Sequence, residues 1–145
     1  MMELLPLIVL LPFIGIATYT DQKKQMIPDK LTRPLIAMGV LSYLMAGVFA
    51  HDVWLAILGS AGALCAFAIG YLLWQLKAWG GGDAKLLMGI GAMIPTLFMY
   101  FIVAMFMCYL MLILPKRTQI KKQRPFAIFM LMGLIAVFVM EAIRW

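Results

Sequence analysis

Acidic side chains are scarce in this chain: six Asp and Glu stand against twelve Lys and Arg, and only 12% of the 145 residues are charged. The only histidine, His51, sits in an outer turn between two apolar runs, so neither a histidine-based triad nor a multi-histidine metal cluster is available. The two cysteines, Cys65 and Cys108, lie inside apolar runs. They support neither a zinc framework nor a disulfide scaffold and are read as small core residues. The first hydrophobic run has no basic region ahead of it, the only charge before Asp21 being Glu3. It is therefore expected to stay as a helix rather than leave as a signal peptide. The polar breaks between apolar runs are short, which leaves no room for a separate soluble domain.

What is abundant is apolar side chain: 66% of the residues are hydrophobic, and the mean hydropathy is +1.02. A soluble domain of this size could not bury so much, so the class is integral membrane protein. Apolar runs cover residues 4–20, 34–50, 53–76, 84–94, 96–114 and 125–143. Pro34 suits the first turn of the second, and His51-Asp52 makes the tight turn into the third. Gly62, Ala66 and Gly70 recur at four-residue spacing, a small stripe that lets helices approach closely.

The stretch 86–114 is either one kinked helix or two that turn at Ile94-Pro95-Thr96, and charge placement decides. With two, the segments 21–33, 77–85 and 115–124 share one side and hold eleven of the twelve basic residues, leaving Arg144 opposite. The positive-inside rule then favours six spans with both termini outside the cytoplasm. The expected fold is all-α: one six-helix transmembrane domain over residues 1–145. Its fourth helix is only about 17 Å long, against a hydrocarbon core of roughly 30 Å, so Asp83 is expected just inside the membrane or in a wet notch. The basic residues are assigned to anionic headgroups rather than to nucleic acid. Trp54, Trp74, Trp79 and Trp145 fall where interfacial aromatic belts form.

Of the acids, Glu3, Asp52 and Glu141 fall at outer ends, as solvated termini or turns. Asp21, Asp29 and Asp83 share the cytoplasmic side. Asp21 ends the first span and Asp83 opens the fourth; if those helices are neighbours, the carboxyls face across a small gap. Two carboxyls that close hold a single proton between them, so one can activate water while the other protonates a carbonyl. The plainer roles, a helix junction for Asp21 and an N-cap for Asp83, are compatible with this. Asp29 follows Ile27-Pro28, where a structural Asx role is the expected one. Gly80, Gly81 and Gly82 break the chain ahead of Asp83 and leave room for another backbone.

Gly80-Gly81-Gly82-Asp83-Ala84-Lys85-Leu86 resembles the GxGD-Lys-Leu signature of type IV prepilin and preflagellin peptidases. The segment from Asp21 through Met26-Ile27-Pro28-Asp29-Lys30-Leu31-Thr32 resembles that family's first motif, in which Asn often stands at the position of Asp29. Arg124-Pro125-Phe126-Ala127 resembles the Pro-Phe motif opening its last helix. The resemblance implies a membrane aspartyl endopeptidase. Asp21 and Asp83 would be catalytic, with Gly80, Gly81, Gly82, Lys85, Pro28 and Asp29 in substrate-binding or supporting positions. It implies no metal or organic cofactor, and a substrate that is a type IV pilin-like precursor cut at the cytoplasmic face. The large bacterial members' Cys-rich segment is missing, so N-methylation is not expected; the short chain looks more like the minimal peptidases of tight-adherence (Flp) pilus systems. Two alternatives compete: a small proton- or ion-coupled transporter using paired acids, and a non-catalytic membrane subunit of a pilus machine. No inverted repeat supports the first.

Overall fold

The computed structural model describes residues 4–24, 27–76, 80–113 and 127–144. Glu3, Lys77, Trp79, Trp145, the basic segment 116–124 and the residues Pro125 and Phe126 lie outside them. Among the described residues there are six helices and no strand: α1 (Leu4–Lys24), α2 (Asp29–Ala50), α3 (Val53–Gln75), α4 (Gly81–Met93), α5 (Phe98–Ile113) and α6 (Ala127–Ile143). The chain does turn between Met93 and Phe98, around Pro95, so α4 and α5 are separate helices.

Three boundaries differ from expectation by three residues or more. α1 continues four residues beyond 20. α4 begins at Gly81 rather than at 84, so Gly81 and Gly82 belong to its first turn. α2 begins at Asp29 rather than at Pro34. Pro34 therefore lies inside α2, where its missing N–H leaves the Lys30 carbonyl without an intrahelical partner. The turn between α2 and α3 follows the sequence closely. His51 closes α2 with φ 53 in the left-handed region, and Asp52 caps α3, its Oδ1 accepting from the Trp54 N–H at 2.9 Å. Replacing Asp52 with Ala should lower stability by about 1 kcal/mol, read as a fall in the thermal midpoint.

Small residues set the packing. A Cβ on Gly91 would fall 2.5 Å from Ala66 Cβ, and one on Gly70 would fall 2.9 Å from Ala84 Cα. α3 and α4 thus run antiparallel at very close range, through the stripe read from the sequence. A Cβ on Gly39 would meet Ala92 Cβ at 2.7 Å, and one on Gly89 would meet Leu35 Cδ2 at 2.7 Å, so α2 runs parallel to α4. Gly133 backs onto Met105 and Tyr109 meets Phe129 edge-on, which makes α5 and α6 antiparallel. This alternation puts the C-terminal end of α1 and the starts of α2, α4 and α6 together at one end.

α4 is the central element: Asp83, Ala84, Leu86, Leu87, Gly89, Ile90, Gly91, Ala92 and Met93 are all buried. Its 13 residues make it about 20 Å long. The core around it is built from Leu7, Leu10 and Ile14 of α1, Leu35 of α2, Phe101 and Met105 of α5, and Met130 and Leu134 of α6. The outer faces carry exposed Leu41, Met45 and Val48 of α2 and Leu64, Phe67 and Leu72 of α3. α2 and α3, with 22 and 23 residues, are long and apolar enough to cross a membrane.

Three side chains sit against expectation. Cys65 is exposed and Cys108 only partly buried, because a bundle whose outer surface is also apolar gives a small apolar residue no reason to face inward. Glu141 is not solvated: it is 5% exposed, with Arg144 Nη1 at 3.6 Å from Oε1.

Candidate active site

Asp83 is the third residue of α4, in the first turn, where N–H groups lack intrahelical partners. Gly80 is the N-cap, with extended backbone at φ −78 and ψ 155. Its N–H donates to Asp83 Oδ2 at 3.2 Å, and its carbonyl accepts from the Asp83 N–H at 3.1 Å. One carboxyl oxygen thus closes the cap. The other, Oδ1, is buried with no hydrogen-bond partner among the described residues. The capping role and an unfulfilled acceptor therefore coexist on one side chain.

Asp21 lies in the last turn of α1. Its Oδ2 is also buried without a hydrogen-bond partner, while the backbone N–H of Ala127, at the start of α6, interacts with the carboxyl. One turn earlier, Thr18 Oγ1 donates to the Ile14 carbonyl at 2.8 Å and the Ala127 carbonyl at 3.2 Å. Thr18 is 7% exposed. It pins the end of α1 to the start of α6 and so fixes the approach of Asp21. Its three-residue spacing from Asp21 puts both on one helix face, a signal the sequence held and that reasoning from charge alone missed. Asp21 and Asp83, 62 positions apart, lie close enough for their charges to repel.

The segment between α1 and α2 packs onto the start of α4. A Cβ on Gly82 would lie 3.1 Å from Ile27 Cβ, so the third glycine admits this chain's own Ile27. Gly80 and Gly81 are exposed and stay open to solvent. No described glycine has positive φ, so close approach and openness, not unusual backbone angles, are what these glycines provide. The Pro28 carbonyl accepts from the Leu31 N–H at 2.9 Å and opens α2.

Asp29 does not form the expected Asx turn. Its Oδ1 accepts from Lys85 Nζ at 2.7 Å and its Oδ2 from Arg33 Nη2 at 3.4 Å. The hydrogen bond and positive charge of Lys85 hold this exposed carboxyl below its ordinary range. Asp29, Lys85 and the glycines therefore gather around the start of α4, with Asp83 buried beneath them. Among the described residues, no three His, Cys, Asp or Glu side chains gather to hold a metal ion.

With this geometry in hand, comparison with known proteins is decisive at family level. The model of the type IV leader peptidase family matches residues 8–115. The chain belongs to that family. A prepilin peptidase of Methanothermobacter thermautotrophicus is 36% identical over 93 residues, covering 64% of this chain and 24% of the relative. A preflagellin peptidase of Methanocaldococcus jannaschii is 32% identical over 80 residues, covering 55% of this chain and 34% of the relative. The matched stretches thus span about a quarter to a third of these curated relatives. The family match contains both Asp21 and Asp83 and ends ahead of α6.

Proposed function

We propose that this type IV leader peptidase family member is a six-span membrane aspartyl endopeptidase that removes the basic leader of type IV pilin-like precursors. Asp21 and Asp83 are its catalytic pair. The observation that carries this is the meeting of two acids from distant motifs at one end of the bundle, each with a buried oxygen that no group among the described residues satisfies. Buried polar atoms normally find partners; among the described side chains both exceptions are carboxyl oxygens, and a water, or a substrate carbonyl accepting from the protonated carboxyl, would complete them.

The chemistry is hydrolysis of one peptide bond. One carboxylate takes a proton from a water whose oxygen attacks the scissile carbonyl carbon, while the protonated partner donates to the carbonyl oxygen. The resulting tetrahedral diol collapses. The C–N bond breaks, the amine leaves with a proton from the pair, and the leader keeps the new carboxylate. The pair behaves as one titrating unit, so neither Asp21 nor Asp83 is assigned as the base. Exposed Gly80 and Gly81 leave the approach open for an extended substrate backbone. Neither step calls on a metal or an organic cofactor, and N-methylation forms no part of the proposal.

The topology proposed has both termini outside and the dyad end at the cytoplasmic face, where the basic residues meet anionic headgroups. Its support is the alternating run of helices and the charge asymmetry. Against ion transport stands the position of the acids at one end of the bundle, not at mid-depth. Co-expression with a small pilin precursor carrying a basic leader, a glycine junction and a hydrophobic stretch tests the proposal. The precursor should shift to the mature mobility with this chain and remain full length without it. A precursor untouched in both cases contradicts the proposal.

A further inference from the structure

Lys85 and Asp29 come from the two motif segments, 56 positions apart, and meet at 2.7 Å. Both side chains are about half exposed, at 51% and 43%, so the pair contributes little to overall stability. Its position is what matters. Lys85 follows Asp83 by two residues, roughly 200° around a helix of 3.6 residues per turn. The two side chains thus leave α4 on nearly opposite sides: Asp83 is buried, and Lys85 reaches outward to the first residue of α2. Farther along, the same two helices touch through Leu35 with Gly89 and Gly39 with Ala92. The ion pair is the polar end of that parallel seam. It lies beside Ile27, which packs on Gly82, the residue before Asp83.

We infer that the Lys85–Asp29 ion pair is a positioning device for the dyad, clamping the first turn of α4 to the start of α2 so that Asp83 is held at working distance from Asp21. This inference rests on the proposed peptidase reading. It assigns Lys85 and Asp29 a part in placing the catalytic carboxyl, with no contact to the bond being cut. The first turn of a helix is its loosest part, because its N–H groups lack intrahelical partners, and Asp83 sits in that turn. A shift of about 1 Å in a reacting group can cost about 10²-fold in rate. A weak but directional pair (one charge-assisted hydrogen bond) can therefore matter far more to turnover than to folding.

The test uses the full chain in lipid bilayers and a synthetic peptide with a basic leader, a glycine junction and a hydrophobic segment. Lys85→Met and Asp29→Ala should each lower kcat about tenfold or more, with KM and the thermal midpoint nearly unchanged. Lys85→Arg should recover most of the loss, and the double exchange Asp29→Lys with Lys85→Asp should recover part of it. In parallel, spin labels at exposed Lys30 and Gly81, in a Cys65→Ala, Cys108→Ala background, report the spacing of α2 and α4 without any turnover. The distance distribution should widen in Lys85→Met and narrow again in Lys85→Arg. Single variants that keep kcat, or a label distribution that Lys85→Met leaves unchanged, overturn the inference. A wild-type chain that cleaves nothing contradicts the peptidase reading instead, and the label distances still decide whether the pair holds the two helices in place.

Discussion

Asp83→Asn should abolish cleavage, by about 10³-fold or more, while the protein still inserts and folds. The amide keeps the shape of the carboxyl, and its oxygen can still accept from the Gly80 N–H, which holds Asp83 Oδ2 at 3.2 Å. The start of α4 should therefore survive. What is lost is the ability to take and give a proton at Oδ1, the atom left without a hydrogen-bond partner. Asp21→Asn should have the same effect on turnover, since the pair works as a unit. The two losses should not multiply in the double variant, because either one removes the whole dyad. Processing of a co-expressed precursor, read beside the thermal midpoint of the purified variants, separates this from unfolding. If either variant processes at a near-normal rate, the dyad is wrong; if both lose processing only by failing to fold, the acids are structural.

The second large effect concerns the seam beneath the site. Gly91→Ala should destabilise the protein by about 2–3 kcal/mol, lowering the thermal midpoint by about 5–10 °C; Gly91→Leu should prevent folding. A Cβ there would sit 2.5 Å from both Ala66 Cβ and the Gly62 carbonyl oxygen. The oxygen belongs to the backbone of α3, so relief requires moving a helix. Gly15→Ala is the control. Nothing lies within 4 Å of its Cβ position, and a helix prefers Ala over Gly by roughly 0.5–1 kcal/mol, so this variant should match or exceed the wild type. Equal midpoints for the two Ala variants would contradict the close α3–α4 packing.

Much of this arrangement is legible in the sequence because polar residues are so few. With only six acids, each needs a reason, and counting basic residues by segment favours two helices turning at Pro95 over one kinked there. The small stripe of Gly62, Ala66 and Gly70 marks α3 for close approach for the same reason: Cβ size is written directly in the residue type, though not which helix comes close. Facing is what hydropathy does not encode. Cys65 was expected inside and is exposed, whereas Glu141 was expected in solvent and is buried. In a bundle apolar on both its inner and outer surfaces, an apolar run carries no period that tells one from the other.

Helix ends at α1, α2 and α4 are not legible either, because a helix continues into polar or glycine-rich sequence once packing supports it, as at Asp29 to Arg33 and at Gly81-Gly82. The Asp29–Lys85 pairing was invisible for another reason. It depends on the parallel contact of α2 with α4, and no local pattern states which helices are neighbours. The local sequence around Asp29 shows only its own turn, whereas its partner Lys85 lies in the other motif.

The central claim is that Asp21 and Asp83 share one proton and use it to hydrolyse a peptide bond. The most direct test is the rate of cleavage of a leader-peptide substrate by the purified protein in bilayers, followed across pH. Cleavage should follow a bell: it fails at low pH, where both carboxyls are protonated and none can take a proton from water, and again at high pH, where both are ionised and none can donate. A rate that only rises with pH, with no descending limb, would contradict it.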